Sequence, residues 1–231
     1  MRSGEPDPVD EYFDIVDPDG NPTGRIKRRS DVHQDGDWHC AFHCWVVLED
    51  QNREPSILFQ RRSMNKDTYP GKLDVAVGGH YRAGEGFREV VQEIEEELGI
   101  APQADTLINI GRRWSQAVTK RWVDREIEDV YVHCLKEPVS TLQPSREEIT
   151  AVDVISFSAL GKLFGEDSGS VRSRRFAVRP DNTLRDEGAA EVALGDFIPV
   201  TDGYWVAGAR AAVAVLKGRA GVRLDLPSRS G

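Results

Sequence analysis

Residues 78 to 100 read GGHYRAGEGFREVVQEIEEELGI, and the rest of the chain is best interpreted from this stretch. From Glu85 onward, apolar residues return every three or four positions, which is the period of an α-helix with one buried face. These apolar residues are Phe87, Val90, Val91, Ile94 and Leu98. Gly99 follows the last of them and is a typical helix terminator. We therefore predict an amphipathic helix from Glu85 to Leu98.

The side of this helix opposite its apolar face is strongly acidic. Residues 85–97 contain six glutamates and one arginine. At about 100° per residue, one side carries Glu89, Glu93, Glu96 and Glu97. An exposed, solvated face is the commoner explanation of such a run taken alone. However, the double glycine Gly78-Gly79 ends the preceding predicted strand and lets a backbone carbonyl approach a cation closely. We therefore predict that the glutamates bind Mg²⁺ or Mn²⁺.

Apolar and β-branched segments on both sides of the helix predict the strands of a mixed sheet. The run from His39 to Leu48 has no Gly or Pro and is typical of a strand buried on both faces. Other predicted strands are 12–16 with a hairpin return to 28, 56–61, 73–77, 106–114, 125–135 and 151–157, and later helices are 158–164 and 202–216. Because the regular alternation of a Rossmann domain is missing, we predict an α/β sandwich of sheet and helices.

The same reading divides the chain into one domain with appendages. Residues 1–10 hold three acids and two prolines without periodicity and are expected to form a flexible acidic arm. The domain is predicted at 11–217, and within it residues 165–195 are expected to be a mobile loop or hairpin insertion. Residues 218–231 are expected to form a tail.

The acidic helix and its glycines resemble the signature of the Nudix family, G-x5-E-x7-R-E-U-x-E-E-x-G-U, where U is aliphatic. The matching residues are Gly79, Glu85, Glu93, Ile94, Glu96, Glu97, Gly99 and Ile100. Two departures are present: Gln92 stands where the signature has Arg, and six residues instead of seven separate Glu85 from that position. The resemblance implies an α/β/α sandwich around a mixed sheet. It also implies that Glu93, Glu96, Glu97 and the carbonyl of Gly79 hold the metal, with Glu93 and Glu97 catalytic and Glu93 the candidate general base.

A second resemblance is to the isopentenyl-diphosphate isomerase branch of the Nudix superfamily and to hydrolases close to it. The shared pattern is His33-x5-His39-x-Ala41-Phe42, then Arg62-x3-Lys66, YPGKLD at 69–74, Gly79-His80 and Glu126-x-Glu128. In the isomerases, one metal site is formed by the counterparts of His33, His39, His80, Glu126 and Glu128. The counterparts of Arg62 and Lys66 hold the diphosphate. Imidazoles and carboxylates together suit a second divalent ion, such as Mn²⁺ or Zn²⁺.

Simpler interpretations of these residues stay open. The histidines can orient loops by hydrogen bonding instead of binding a metal, and the basic residues around Arg62 and Lys66 can belong to a solvated loop. The run HCAFHC at 39–44 does not predict a zinc site. On a strand, His39 and His43 face one side while the two cysteines face the other, so the four cannot converge on one ion. His43 shares the face of His39 but lies about 13 Å along the strand at 3.3 Å per residue, so it is left outside the predicted metal site.

Two features favour hydrolysis over isomerisation. The isomerases protonate an alkene with a cysteine just before the Gly-His step, whereas this chain has Val77, Gly78 and Gly79 there, and Cys44 is the cysteine nearest in sequence. The isomerase signature is also degenerate, whereas here the set is complete: Glu93, Glu96 and Glu97. Without an acid at that position there is no isomerisation.

Composition limits the partners of the protein. Thirty Lys and Arg against 39 Asp and Glu give a net charge of −9, which argues against binding of a nucleic acid polymer. Three cysteines are too few for a disulfide scaffold, and no apolar run approaches the roughly 20 residues of a membrane span. Together with the resemblance to the Nudix family, these limits lead us to expect a cytoplasmic, Mg²⁺- or Mn²⁺-dependent hydrolase. It would cleave a diphosphate linkage in a nucleoside diphosphate derivative or another small organic diphosphate. The alternatives are an isopentenyl-diphosphate isomerase and a non-catalytic nucleotide sensor; a homodimer is the base-rate expectation.

Overall fold

The structure, a computed structural model, describes residues 11–66, 68–118, 123–165 and 169–226, so the predicted arm at 1–10 lies outside the described residues. The strands are β1 (Tyr12–Val16), β2 (Pro22–Arg28), β3 (Trp38–Glu49), β4 (Pro55–Arg62), β5 (Leu73–Asp74), β6 (Val77–His80), β7 (Ile108–Val118), β8 (Val123–Cys134), β9 (Ile149–Ser156), β10 (Ser170–Val178) and β11 (Leu184–Ala193). The helices are α1 (Arg29–Asp35), α2 (Phe87–Leu98), α3 (Phe157–Gly165) and α4 (Tyr204–Leu216).

Strand β3 is the centre of one mixed sheet. The order along the sheet is β11-β10-β9-β4-β3-β1-β2, with β5 beside β4 and β6 beside β3. On its other side β3 pairs in parallel with β8, and β7 follows β8. This parallel register sets His39 opposite Glu126, and the antiparallel register of β6 sets His80 opposite Ala41. Both candidate metal sites therefore depend on the residues at one end of β3.

Alternation along β3 divides the core into two layers. Phe42, Cys44 and Val46 pack in one cluster with Val90, Ile94 and Leu98 of α2. Trp45 and Val47 pack in the other cluster with α3 and α4. A strand with apolar residues on both faces is buried between layers, as the run of residues predicted. The predicted α/β sandwich is confirmed, and within the described part of the chain no helix is long and apolar enough to cross a membrane.

Helix α2 begins and ends at glycines. It starts at Phe87 rather than at the predicted Glu85, because the Glu89 carboxylate accepts a 2.8 Å hydrogen bond from the backbone N–H of Gly86 and caps the helix there. Gly99 ends it at φ +70°, in the left-handed region. A Cβ at that position would lie 2.8 Å from Gln143 Cβ and 2.9 Å from Gln143 O. Residue 99 must therefore be glycine for two reasons: its backbone is in the left-handed region, and there is no space for a Cβ.

Two local features differ from the sequence-based expectation. The predicted strand 73–77 is interrupted, since β5 ends at Asp74 and β6 begins at Val77. The Asp74 side chain accepts a 2.8 Å hydrogen bond from the next backbone N–H, that of Val75, and so competes with the sheet for it. Helix α1 was not predicted because it buries only Val32 and has no apolar period.

The predicted insertion at 165–195 contains a regular hairpin. Strand β10 pairs with both β11 and β9, so the hairpin extends the sheet. Asp153 of β9 is fully buried and fixes the hairpin by accepting hydrogen bonds from Ser173 Oγ at 2.6 Å and Arg175 Nε at 3.0 Å. The described part of the predicted tail also packs on the domain, with Leu224 donating its N–H to the Ile110 carbonyl at 2.7 Å.

Candidate functional site

The last turns of α2 carry the predicted metal-binding glutamates. Glu97 is only 4% exposed, and its Oε2 atom has no hydrogen-bond partner among the described residues. Glu93 is half-buried, and Glu96 is exposed and accepts a 2.7 Å hydrogen bond from Gln92 Nε2. The glutamine that replaces the signature arginine therefore pairs with one of the predicted ligands. Glu97 is the carboxylate whose unpaired oxygen most needs a cation.

Gly79 lies beside this acidic group. It pairs with Phe42 in the sheet, and a Cβ at residue 79 would lie 2.9 Å from Phe42 Cζ and 3.5 Å from Glu93 Cγ. A larger residue would thus clash with the Phe42 ring of β3 and touch the Glu93 side chain. The backbone of Gly79 and the side chain of Glu93 are neighbours, which a shared cation would require.

Burial and mutual repulsion disfavour charge on these carboxylates. Burial raises the pKa of Glu97 well above its ordinary value, although the nearby Lys66 ammonium opposes this. Burial raises the pKa of Glu93, and the negative charge of the nearby Glu96 raises it further. A divalent cation bound between them would compensate both effects.

The two predicted phosphate-binding cations lie near Glu97 but are held differently. Lys66 forms an ion pair with Glu148 and is partly exposed. Arg62 donates from Nη1 to Asp74 Oδ2 and from Nε to the Thr68 carbonyl, each at 3.1 Å. These hydrogen bonds of Arg62 fix the loop that carries Lys66. Of the two, Lys66 is the side chain better placed to move to an incoming anion.

A second group of polar side chains meets at the end of β3. The ligand atoms of His33, His39, His80 and Asp124 all lie within 4.8 Å of one another. Asp124 Oδ1 is 3.6 Å from Nε2 of both His33 and His39. Glu126 joins them, since its Oε1 is 2.7 Å from His80 Nε2 and 4.0 Å from His39 Nε2. Four separate elements, α1, β3, β6 and β8, contribute to this group.

The donor atoms of this second group fit a divalent metal ion. Three of its buried atoms have no hydrogen-bond partner among the described residues: His33 Nε2, His39 Nε2 and Asp124 Oδ1. Burial lowers the pKa of His33 to about 4 and that of His39 to about 2, which keeps both imidazoles in the neutral form that binds metals. Burial raises the pKa of Asp124, and the negative charge of the nearby Glu126 raises it further.

The acidic side chains of β8 differ from the predicted pair. The structure places Asp124 and Glu126 at the histidines, whereas Glu128 lies one strand repeat further along, about 6.6 Å at 3.3 Å per residue. Glu128 is instead buried against Arg113, whose Nη1 donates to both of its oxygens at 3.1 Å. Asp124 was missed because three acids alternate on one strand face, and the sequence does not show which of them lie opposite His39.

We predict that the histidine group binds a divalent ion, which a His39→Gln variant tests. Loss of one imidazole should weaken Mn²⁺ or Zn²⁺ binding by more than the roughly 10- to 100-fold that loss of an indirect partner costs. Titration calorimetry on the metal-stripped protein measures this. The control is His133→Gln, a buried histidine of β8 outside the group. Equal metal affinity of wild type and His39→Gln would contradict the prediction.

Comparisons with known proteins show what the chain as a whole is similar to. The family model described as the NUDIX domain matches residues 38–175. A Nudix hydrolase of Clostridium acetobutylicum is 32% identical over 85% of this chain and 94% of its own length. An isopentenyl-diphosphate Δ-isomerase of Klebsiella pneumoniae is 27% identical over 81% of this chain and 96% of its own. A crystal structure of a Deinococcus radiodurans protein has a TM-score of 0.47 and 20% identity, covering 68% of this chain and 91% of that one.

Proposed function

The chain belongs to the Nudix family and is a Nudix hydrolase. From this premise we propose that it uses Mg²⁺ or Mn²⁺ to hydrolyse a diphosphate linkage. The substrate is a nucleoside diphosphate derivative or another small organic diphosphate. The observation that carries the proposal is the buried, unpaired Oε2 of Glu97 beside Glu93 and Lys66. A buried carboxylate oxygen without a donor is stable only with a proton or a cation.

Different residues of the chain would have different roles in hydrolysis. Glu93, Glu96, Glu97 and the Gly79 carbonyl would hold the divalent ion, which neutralises a diphosphate and polarises water when bound. Lys66 adds a positive charge at the same position and binds a phosphate oxygen. Glu93 is our candidate for the carboxylate that accepts the proton of the attacking water, since it is half-buried and burial raises its pKa above the ordinary value.

The histidine group would hold a second divalent ion through His33, His39, His80, Asp124 and Glu126. Phe13 stacks on two of its rings, with ring centroids 5.1 Å from His39 and 5.0 Å from His80, and so fixes their orientation. The proposed role of this second site is to bind the diphosphate together with the first one. Gly79 and His80 are adjacent residues of β6, so the backbone that would contribute to the first site continues directly into the second.

Isomerisation has no support at the position where it needs an acid. The residues of β6 before His80 are Val77, Gly78 and Gly79, none of which can protonate an alkene. Cys44 is fully buried in the α2-side core, and burial raises the pKa of its thiol to about 12. We therefore propose hydrolysis, although some relatives are isomerases.

The substrate and its compartment are also proposals. The net charge of −9 fits a small anionic substrate held by metal ions better than a nucleic acid polymer. Cys40, Cys44 and Cys134 are all unpaired thiols, which suits a reducing cytoplasm. The expected homodimer stays a prediction, and gel filtration with light scattering tests it.

A hydrolysis panel tests the proposed function. The purified protein is incubated with nucleoside di- and triphosphates, nucleotide sugars, and prenyl and thiamin diphosphates in the presence of Mg²⁺ or Mn²⁺. We expect phosphate-containing products from at least one of them, and complete loss of turnover when EDTA removes the metal. Ligand-induced thermal stabilisation without any hydrolysis would indicate a sensor instead. Conversion of isopentenyl diphosphate to an isomer of equal mass without phosphate release would indicate an isomerase.

A further inference from the structure

A polar group that the metal sites do not use lies further along β3. His43 is on the same face of the strand as His39, and its Nδ1 atom is 3.0 Å from the Tyr204 hydroxyl and 3.2 Å from Glu128 Oε2. Glu128 is held from behind by both 3.1 Å contacts of Arg113. Arg113 in turn donates from Nε to Asp202 Oδ2 at 2.6 Å. The orientation of the His43 ring is thus fixed by three other elements.

These contacts leave one ring nitrogen for a ligand. A lone pair on Nδ1 would face a carboxylate oxygen at 3.2 Å. We therefore assign the hydrogen of the neutral imidazole to Nδ1, which leaves Nε2 as the acceptor. Nε2, on the other edge of the ring, has no hydrogen-bond partner among the residues that the structure describes. The His43 side chain is 16% exposed, so a molecule from solvent can reach it.

Gly78 keeps this edge of the ring open. It pairs with His43 in the sheet, and a Cβ at residue 78 would lie 3.1 Å from His43 Cδ2 and 3.4 Å from Nε2. Its φ is not among the positive values found for glycines in the described residues. The backbone therefore does not require glycine there, whereas the space beside the imidazole does. The next two residues of β6 are Gly79 and His80, at the two candidate metal sites.

We propose that His43 determines substrate specificity: Nε2 accepts a hydrogen bond from a hydroxyl or amine on the organic part of the diphosphate. This rests on the proposed function, because a diphosphate held beside Gly79 and His80 brings its organic part to Gly78 and His43. A prenyl chain in the same place would bury Nε2 without a donor, which is unfavourable. The protein should accordingly prefer a sugar-bearing diphosphate to a hydrocarbon one.

Equilibrium binding tests this preference separately from turnover. The probes are UDP-glucose and dimethylallyl diphosphate as methylene-bridged analogues, in which the P–O–P oxygen is replaced by carbon so that hydrolysis cannot occur. Calorimetry with Mg²⁺ should show the nucleotide-sugar analogue binding at least about 10-fold more tightly, the ratio that one hydrogen bond supports. Both His43→Leu and Gly78→Ala should remove most of this preference. His43→Gln, which keeps an acceptor near the Nε2 position, should retain part of it.

Several outcomes would overturn the assignment. They are equal or inverted affinities of the wild-type protein for the two analogues, no binding of either, and equal weakening of both by His43→Leu. Circular dichroism checks that each variant is folded, and Gly78→Ala tests the same contact without altering His43. Hydrolysis of the natural diphosphates by the wild-type protein is measured in parallel. Selective binding without turnover would contradict the proposed function and leave the role of His43 supported.

Discussion

Replacing Glu97 by glutamine is expected to lower kcat on the order of 10³-fold, the scale of losing one charge-stabilising contact in a transition state. Glutamine keeps the size of the side chain but removes the negative charge that a divalent ion needs. The fold should persist, because burial raises the pKa of Glu97 and its ionised form is the one that the interior disfavours. Steady-state hydrolysis of the best substrate of the panel, with the melting temperature of each protein, measures both effects.

The matched control is Glu95→Gln on the same helix. Glu95 is exposed and lies outside the acidic group that faces Lys66, so its neutralisation should change kcat by less than a few-fold. Near-normal rates for Glu97→Gln at saturating Mg²⁺ would remove the basis of the proposed metal site. A comparable loss in both variants would mean that the helix charge as a whole, and not the position of Glu97, supports turnover.

The second large effect is a loss of stability, which we expect from Gly208→Ala in α4. A Cβ at residue 208 would lie 2.1 Å from Cζ2 and 2.4 Å from Cε2 of Trp45, which is fully buried in the α4-side core. The indole cannot move away easily, because its Nε1 donates a 2.9 Å hydrogen bond to the Tyr204 hydroxyl. We expect the free energy of unfolding to fall by about 3 kcal/mol or more, at or above the usual range for overpacking. Urea denaturation measures it.

Gly161→Ala in α3 is the control for this substitution. Apart from its own stretch of helix, no atom of the described residues lies within 4 Å of a Cβ at residue 161. Alanine is favoured over glycine in a helix by up to about 1 kcal/mol. This variant should therefore be as stable as the wild type or slightly more stable. If Gly208→Ala proved equally stable, the close packing of α4 on Trp45 would be refuted.

The strongly periodic elements were predictable from sequence because their own side chains encode them. The apolar period from Phe87 to Leu98 predicted α2 and its end at Gly99, and the unbroken run 39–48 predicted the central strand. The Nudix resemblance, carried by spacings within 22 residues of the chain from Gly79 to Ile100, is likewise a local property. Helix α1 and the break between β5 and β6 were not predictable, since a single buried valine and one aspartate hydrogen bond leave no periodic signal.

The parts of the site that depend on distant strands were harder to predict. Glu126 and Glu128 have the same side-chain type and the same strand face, and only the parallel register of β3 with β8 shows that Glu126 lies opposite His39. The same register brings Asp124 to the histidines. The contacts of His43 with Glu128 and Tyr204 depend in addition on the packing of α4. The spacing of residues in the sequence shows neither the register of β3 with β8 nor the packing of α4.

The pairing of β3 with β8 also has a consequence for biosynthesis. A ribosome releases α1, β3, β6 and α2 before β8, so the nascent chain displays three histidines and the acidic helix without Asp124 and Glu126. Parallel pairing between distant segments is slow to form, and domains fold in the order in which they emerge. During translation, the histidine group therefore stays incomplete until β8 has left the exit tunnel. Any metal captured earlier would be held by fewer ligands than the finished protein provides.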